Sequence, residues 1–134
     1  MTFATARGLA SYRQVEVQSR TPLELVTMLY DGAIRFLGTA RDAMNRHDIP
    51  ARREALNKTL AIIAELQNTL NMDQGGEVAV ELDRLYEYIN MRLLDAAMRN
   101  DVAPLDEVTR ILGILREGWA TIAANEKVPV EAGR

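Results

Sequence analysis

Few side chains in this sequence could carry out a reaction. His47 is the only histidine. A phosphotransfer bundle needs such a residue exposed in mid-helix, whereas His47 stands at the end of a helical pattern, so a surface turn is expected there. A carboxylate-bridged di-iron bundle needs Glu-x-x-His on each of two helices, and one histidine cannot build it. Ser11 and Ser19 have no histidine near them in sequence to activate a hydroxyl. Gly75-Gly76 lacks the spacing and the lysine of a phosphate-cradling loop. There is no cysteine, which removes disulfides and thiolate metal sites and fits a reducing compartment. No enzyme, no metal and no cofactor is expected.

What remains suits recognition. Tyr30-Asp31-Gly32 lies in the first apolar-periodic segment and Tyr86-Glu87-Tyr88 in the third. A tyrosine combines a large apolar ring with a polar tip. Tyr30 and Tyr86 fall on core stripes. Tyr88 falls off its stripe and is the better candidate for a contact surface. Asp31 reads either as a solvated helix residue or as a hydrogen-bond acceptor near a binding groove. The six methionines are dispersed, as gap fillers or as part of an adaptable surface.

These residues must be positioned by helices. Thr21-Pro22-Leu23-Glu24 is a capping box with proline at the first helical position. Leu25, Leu29, Ala33, Phe36, Ala40 and Ala43 then recur at helical spacing until His47-Asp48-Ile49-Pro50. Asp48 can cap a second helix with the stripe Leu56, Leu60, Ile63, Leu66 and Leu70. Asn71 to Gly76 reads as a turn. A third helix follows with Val78, Leu82, Leu85, Ile89, Leu93 and Ala96, closed by Asn100-Asp101. Pro104 opens a fourth, with Leu105, Val108, Leu112, Leu115, Trp119 and Ile122. No segment alternates as a strand does. Similar helix lengths and short connections predict an all-α fold, an antiparallel up-down four-helix bundle. A chain of 134 residues is one domain's worth. The expected organisation is an N-terminal arm over 1–20 packed on the bundle, the bundle over 21–125, and a flexible tail over 126–134.

No apolar run approaches the length of a membrane span, so no membrane insertion is expected. The first ten residues lack the continuous apolar stretch of a secretory signal. Residues 1–20 hold three arginines against Glu16, a net of +2, and residues 73–101 hold seven acids against three arginines, a net of −4. The two could attract each other, though ordinary solvated charge is the first reading. Nothing has the basic footprint of nucleic-acid binding.

Two helices carry more apolar surface than a bundle seam uses. Ile62 sits about 100° around the helix from Ile63. Ile111 and Ile114 lie beside the Leu112/Leu115 stripe, and Gly118 continues their side. Gly113 and Gly118 each cost about 1 kcal/mol in a helix relative to alanine, which suggests a place where another backbone comes close. On periodicity alone these isoleucines either widen the core or face a partner.

The ordered set of phrases resembles the FliS family, the flagellin-specific export chaperones of bacterial flagella. The resemblance runs from Tyr12 to about Ile122. It rests on Tyr12, Thr21-Pro22 with Leu25, Met28-Leu29-Tyr30-Asp31-Gly32-Ala33-Ile34, Asn57-Lys58 and Ile62-Ile63 with Leu66. It continues through Gly75-Gly76-Glu77-Val78-Ala79, Leu82, Leu85-Tyr86, Tyr88, Arg92-Leu93-Leu94, Asn100-Asp101, Glu107-Val108 and Trp119. Each phrase is weak, and their order and spacing are specific. Ala97 departs from the family, which usually has asparagine there. The resemblance implies a cytosolic, non-enzymatic chaperone that binds the C-terminal segment of flagellin, prevents premature polymerisation and assists delivery to the type III export apparatus. A component of the export gate is a further partner it implies. It makes Ile62, Ile111, Ile114 and Gly118 the expected client-facing surface, joined by Tyr12, Tyr30, Asp31, Tyr88 and Leu94. The alternative is a helical adaptor or regulatory bundle with a different amphipathic client.

Overall fold

The computed structural model describes residues 21–127. The expected arm over 1–20, with Tyr12, and residues 128–134 of the expected tail lie outside the described residues. The described chain forms four helices: α1 (Pro22–Asn45), α2 (Ile49–Asn68), α3 (Met72–Arg99) and α4 (Ala103–Lys127). The all-α expectation is met.

Side chains cap the starts of α1, α2 and α4, and backbone amides close the ends of α1 and α3. The Thr21 hydroxyl accepts from Glu24 N while Glu24 accepts from Thr21 N, a complete capping box. Asp48 caps α2 through Ala51 N, with Pro50 in the first turn. Asp101 accepts from Ala103 N at the start of α4. His47 adopts φ 59°, and the amides of His47 and Asp48 return to Met44 O and Ala43 O. That is a Schellman closure, with the histidine in the left-handed position usually taken by glycine. His47 is therefore an exposed turn residue. Asn100 repeats the geometry at φ 52°, with Asp101 N bonded to Ala96 O. The expected turn at 71–76 is narrower than the sequence implies. Helix begins at Met72, and the break falls at Gly76 alone, with φ 54° and ψ −132°.

Side-chain pairs fix the arrangement. Arg41 bonds Asp106 and Asp31 bonds Arg116, so α4 runs antiparallel to α1. Arg52 bonds Asn100 while Gln67 bonds Asp83 and Glu87, so α3 runs antiparallel to α2. The helices pack in a ring, α1 beside α2 and α4, and α3 between α2 and α4. This is the up-down four-helix bundle.

The closest seam joins α1 to α2, and small residues build it. Gly32, Ala33, Ala40 and Ala43 of α1 and Ala55, Thr59 and Ala61 of α2 are buried. A Cβ on Gly32 would lie 3.2 Å from Ile62 Cδ1. The missing side chain of Gly32 thus makes the space that Ile62 fills. Around this seam Leu37, Ile63, Leu66, Ile89, Leu93, Leu105, Val108 and Leu112 complete the core.

Periodicity overextends the core at one end. Val78 and Ile122, both expected inside, are 67% and 48% exposed. They lie where α3 begins and α4 finishes. A stripe on each helix supplies apolar residues there, but the neighbouring helix no longer covers them.

Candidate functional site

The seam between α3 and α4 changes character along its length. Toward the turn that joins the two helices it is clasped by charge. Arg92 Nε donates to Glu107 at 2.6 Å, the Tyr88 hydroxyl donates to the same carboxylate, and Arg92 also holds Asp95 at 2.8 Å. Hydrogen bonds from Tyr88 and then Arg92 hold the Glu107 carboxyl below the usual carboxylate range. The Glu107 contact pushes the Tyr88 phenol up.

Beyond this clasp the seam becomes apolar and open. Ile111, Ile114 and Gly118 stand four, seven and eleven residues after Glu107, so they share its flank of α4 at about 100° per residue. That flank faces α3, because Glu107 reaches Tyr88 and Arg92. Ile111 is half-buried against the core, whereas Ile114 is 60% exposed. Gly118 is exposed, and a Cβ there would meet nothing within 4 Å among the described residues. No contact within the described bundle requires that glycine. On the α3 side Val78, Leu82 and Leu85, with Glu77, Glu81 and Arg84, line a groove of about 630 Å³.

The sequence-expected residues do not all converge here. Tyr88, Ile111, Ile114 and Gly118 do. Ile62 does not: it is 2% exposed and fills the α1–α2 seam against Gly32. Tyr30 is fully buried. Its hydroxyl accepts from Trp119 Nε1 at 3.1 Å and is hydrogen-bonded to the Tyr86 hydroxyl. Burial raises the pKa of both phenols. Asp31 lies on the other flank of α4's neighbourhood, accepting from Arg116 Nε at 2.7 Å across the α1–α4 seam. Leu94, 53% exposed, stands two turns beyond Glu87, the residue that bonds Gln67 of α2. It therefore belongs to the α2 side of α3, with Met91 and Met98 exposed nearby. Ala97, the departure from the family pattern, is half-buried and lines a cavity of about 300 Å³ with His47, Arg52 and Asn100 at the opposite end of the bundle.

Sequence reasoning missed Arg92 and Glu107. The spacing Arg92, Asp95, Arg99 signals a charged helix face, and Asp95 does bridge both arginines. Nothing in one sequence pairs that face with Glu107. No group of three or more His, Cys, Asp or Glu among the described residues could hold a metal ion. No described helix is long and apolar enough to cross a membrane.

The arrangement is a bundle with an apolar flank that no described neighbour covers, and known proteins resemble its sequence. The family model described as Flagellar protein FliS matches residues 5–126. The chain belongs to the FliS family. The "Flagellar secretion chaperone FliS" of Salmonella typhimurium is 40% identical over 124 residues, covering 89% of this chain and 92% of that protein. The "Flagellar secretion chaperone FliSB" of Pseudomonas aeruginosa is 36% identical over 121 residues, covering 87% and 96%. The corresponding protein of Bacillus subtilis is 33% identical over 117 residues, covering 87% and 86%. FliS is a family of flagellar chaperones and not of enzymes. The residues matched include every described helix but for Lys127 at the end of α4.

Proposed function

We propose that this chain is a cytosolic export chaperone that binds the C-terminal segment of flagellin, keeps it from polymerising early and assists its delivery to the flagellar type III export apparatus. A component of the export gate is the partner that receives the complex. The observation that carries the reading is the flank of α4 beyond Glu107, where Ile114 and Ile122 stand exposed beside Gly118.

The chemistry of the client fits such a flank. A filament subunit's end is amphipathic, since it packs against copies of itself. Helix-in-groove docking buries that face by offering apolar anchors at helical spacing. The client orders as it binds, which offsets about 2–5 kcal/mol of the contact energy. Affinity can then be sufficient in the cell and still reversible at export.

The test is the mass of the complex formed with full-length and with tail-truncated flagellin, read by light scattering after gel filtration. A one-to-one complex with the full-length subunit only supports the reading. Equal binding of the truncated subunit points to a different client segment and contradicts it.

A further inference from the structure

Three helical glycines have no reason within the described bundle to lack a side chain. Gly38 of α1 and Gly113 and Gly118 of α4 have no left-handed backbone, and a Cβ on any of them would meet nothing within 4 Å among the described residues. Gly32 is the contrast, because Ile62 occupies the space that its side chain would take. Inside a helix glycine is the least favourable residue after proline. Alanine would fit at all three positions and would favour the helix.

The surroundings separate the three. On a helix surface a residue's neighbours stand three and four positions away. For Gly38 these are Ile34, Arg35, Arg41 and Asp42, and for Gly113 they are Thr109, Arg110, Arg116 and Glu117. Three of the four are charged in each case, which leaves no apolar ring around the missing side chain. For Gly118 the neighbours are Ile114, Leu115, Thr121 and Ile122. Ile114 and Ile122 are exposed, and Leu115 is packed against the core. The Thr121 hydroxyl donates to Glu117 O at 3.0 Å, so its polar atom is satisfied within its own helix. Gly118 is thus the floor of a seat between two exposed isoleucines of one i±4 row.

Helix interfaces set a side chain of one helix into a hole between four side chains of another. Here the position at the centre of the four is empty as well, so the seat is deeper by one side chain. The hydrophobic effect is non-directional, and a plain apolar flank would let a bound segment slide. A single deep seat removes that freedom.

We propose that Gly118 is the specificity-determining position of the α4 flank, seating one large apolar side chain of the client and so fixing the register in which the client docks. The inference rests on the flagellin tail being the client, and it adds register selection to that reading. Gly118 then costs the helix stability in exchange for recognition, whereas Gly38 and Gly113 cost stability only.

The probes are full-length flagellin, a synthetic peptide of its C-terminal segment, and a set of that peptide in which each large apolar residue is replaced singly by alanine. Each is titrated calorimetrically against the full chain. Gly38→Ala, Gly113→Ala and Gly118→Ala are each expected to raise the melting temperature by a few degrees. Only Gly118→Ala is expected to weaken the client, about tenfold, with the other two within about twofold of the unaltered chain. Gly118→Leu fills the seat and is expected to weaken the parent peptide about a hundredfold. One alanine-substituted peptide should bind Gly118→Leu as well as it binds the unaltered chain, and that coupling identifies the seated residue. Should Gly118→Leu lose its helical spectrum, Gly118→Ala is read against the same peptides. The inference is overturned if a helical Gly118→Leu binds the parent peptide as the unaltered chain does, or if it weakens every peptide alike. If the unaltered chain ignores both flagellin and the parent peptide, the functional reading itself has failed and the seat falls with it.

Discussion

The two flanks of α4 are built on the same helix and end up as opposites. Toward α1 the flank is closed: Asp106 meets Arg41, Arg116 meets Asp31, and Trp119 reaches the buried Tyr30 hydroxyl. Toward α3 it is clasped at Glu107, after which no described neighbour covers Ile114, Gly118 or Ile122. The apolar residues are equally hydrophobic on either side of that boundary. What differs is whether the neighbour supplies surface at the matching height. The ion pairs on the closed flank are partly exposed, and pairs of that kind contribute little to stability by themselves. Their effect is to set register, and register determines which apolar residues are left over.

That contrast can be broken or sharpened by substitution. The largest effect belongs to the sealed interior. Ile63→Ala removes a fully buried side chain and should destabilise by about 2–5 kcal/mol in denaturant unfolding. Tyr30→Phe comes next. It takes the acceptor from Trp119 and the partner from Tyr86, and should cost about 1–3 kcal/mol for the polar groups stranded. His47→Gly should act in the other direction, raising stability by up to about 1 kcal/mol, because glycine relieves the left-handed backbone strain. Client binding should be unaffected, which separates the histidine from any phosphotransfer role. The clasp should show itself through pH. The Glu107 pKa is lower in the folded chain than its ordinary value of 4.5, so its contribution is present above that value and is lost as the pH falls through the folded value. Glu107→Gln should therefore lower the melting temperature at neutral pH and flatten the decline below about pH 4.5. The smallest change in stability belongs to the open flank. Ile114→Asp should shift unfolding by no more than about 0.5 kcal/mol, as expected of a surface site.

Much of the fold is legible in local chemistry. Thr21, Glu24 and Asp48 cap as their types and positions predict, because a cap involves neighbours within three residues. The positions of the core stripes follow from periodicity for the same reason. The site is legible only in part. Ile62 and Ile114 look alike in sequence, each one step off a core stripe. Gly32 of another helix buries the first, and no described neighbour covers the second. Periodicity gives a residue's angle on its own helix and says nothing of the profile opposite. The same limit hid the Glu107 clasp and the Asp31–Arg116 pair, whose partners stand 15 and 85 residues apart. It also explains Leu94, which shares a helix with Tyr88 but faces a different neighbour.

Ile111 is half-buried against the core, so substituting it would confuse folding with recognition. Ile114 and Ile122 are free of that difficulty. The decisive measurement is calorimetric titration of the Ile114→Asp, Ile122→Asp double variant with full-length flagellin, beside the unaltered chain and an Arg116→Ala variant of the closed flank. The account predicts an unchanged helical spectrum in all three, binding by the unaltered chain and by Arg116→Ala, and at least a hundredfold loss, about 2.8 kcal/mol, in the double variant. Full binding by a folded double variant would contradict it.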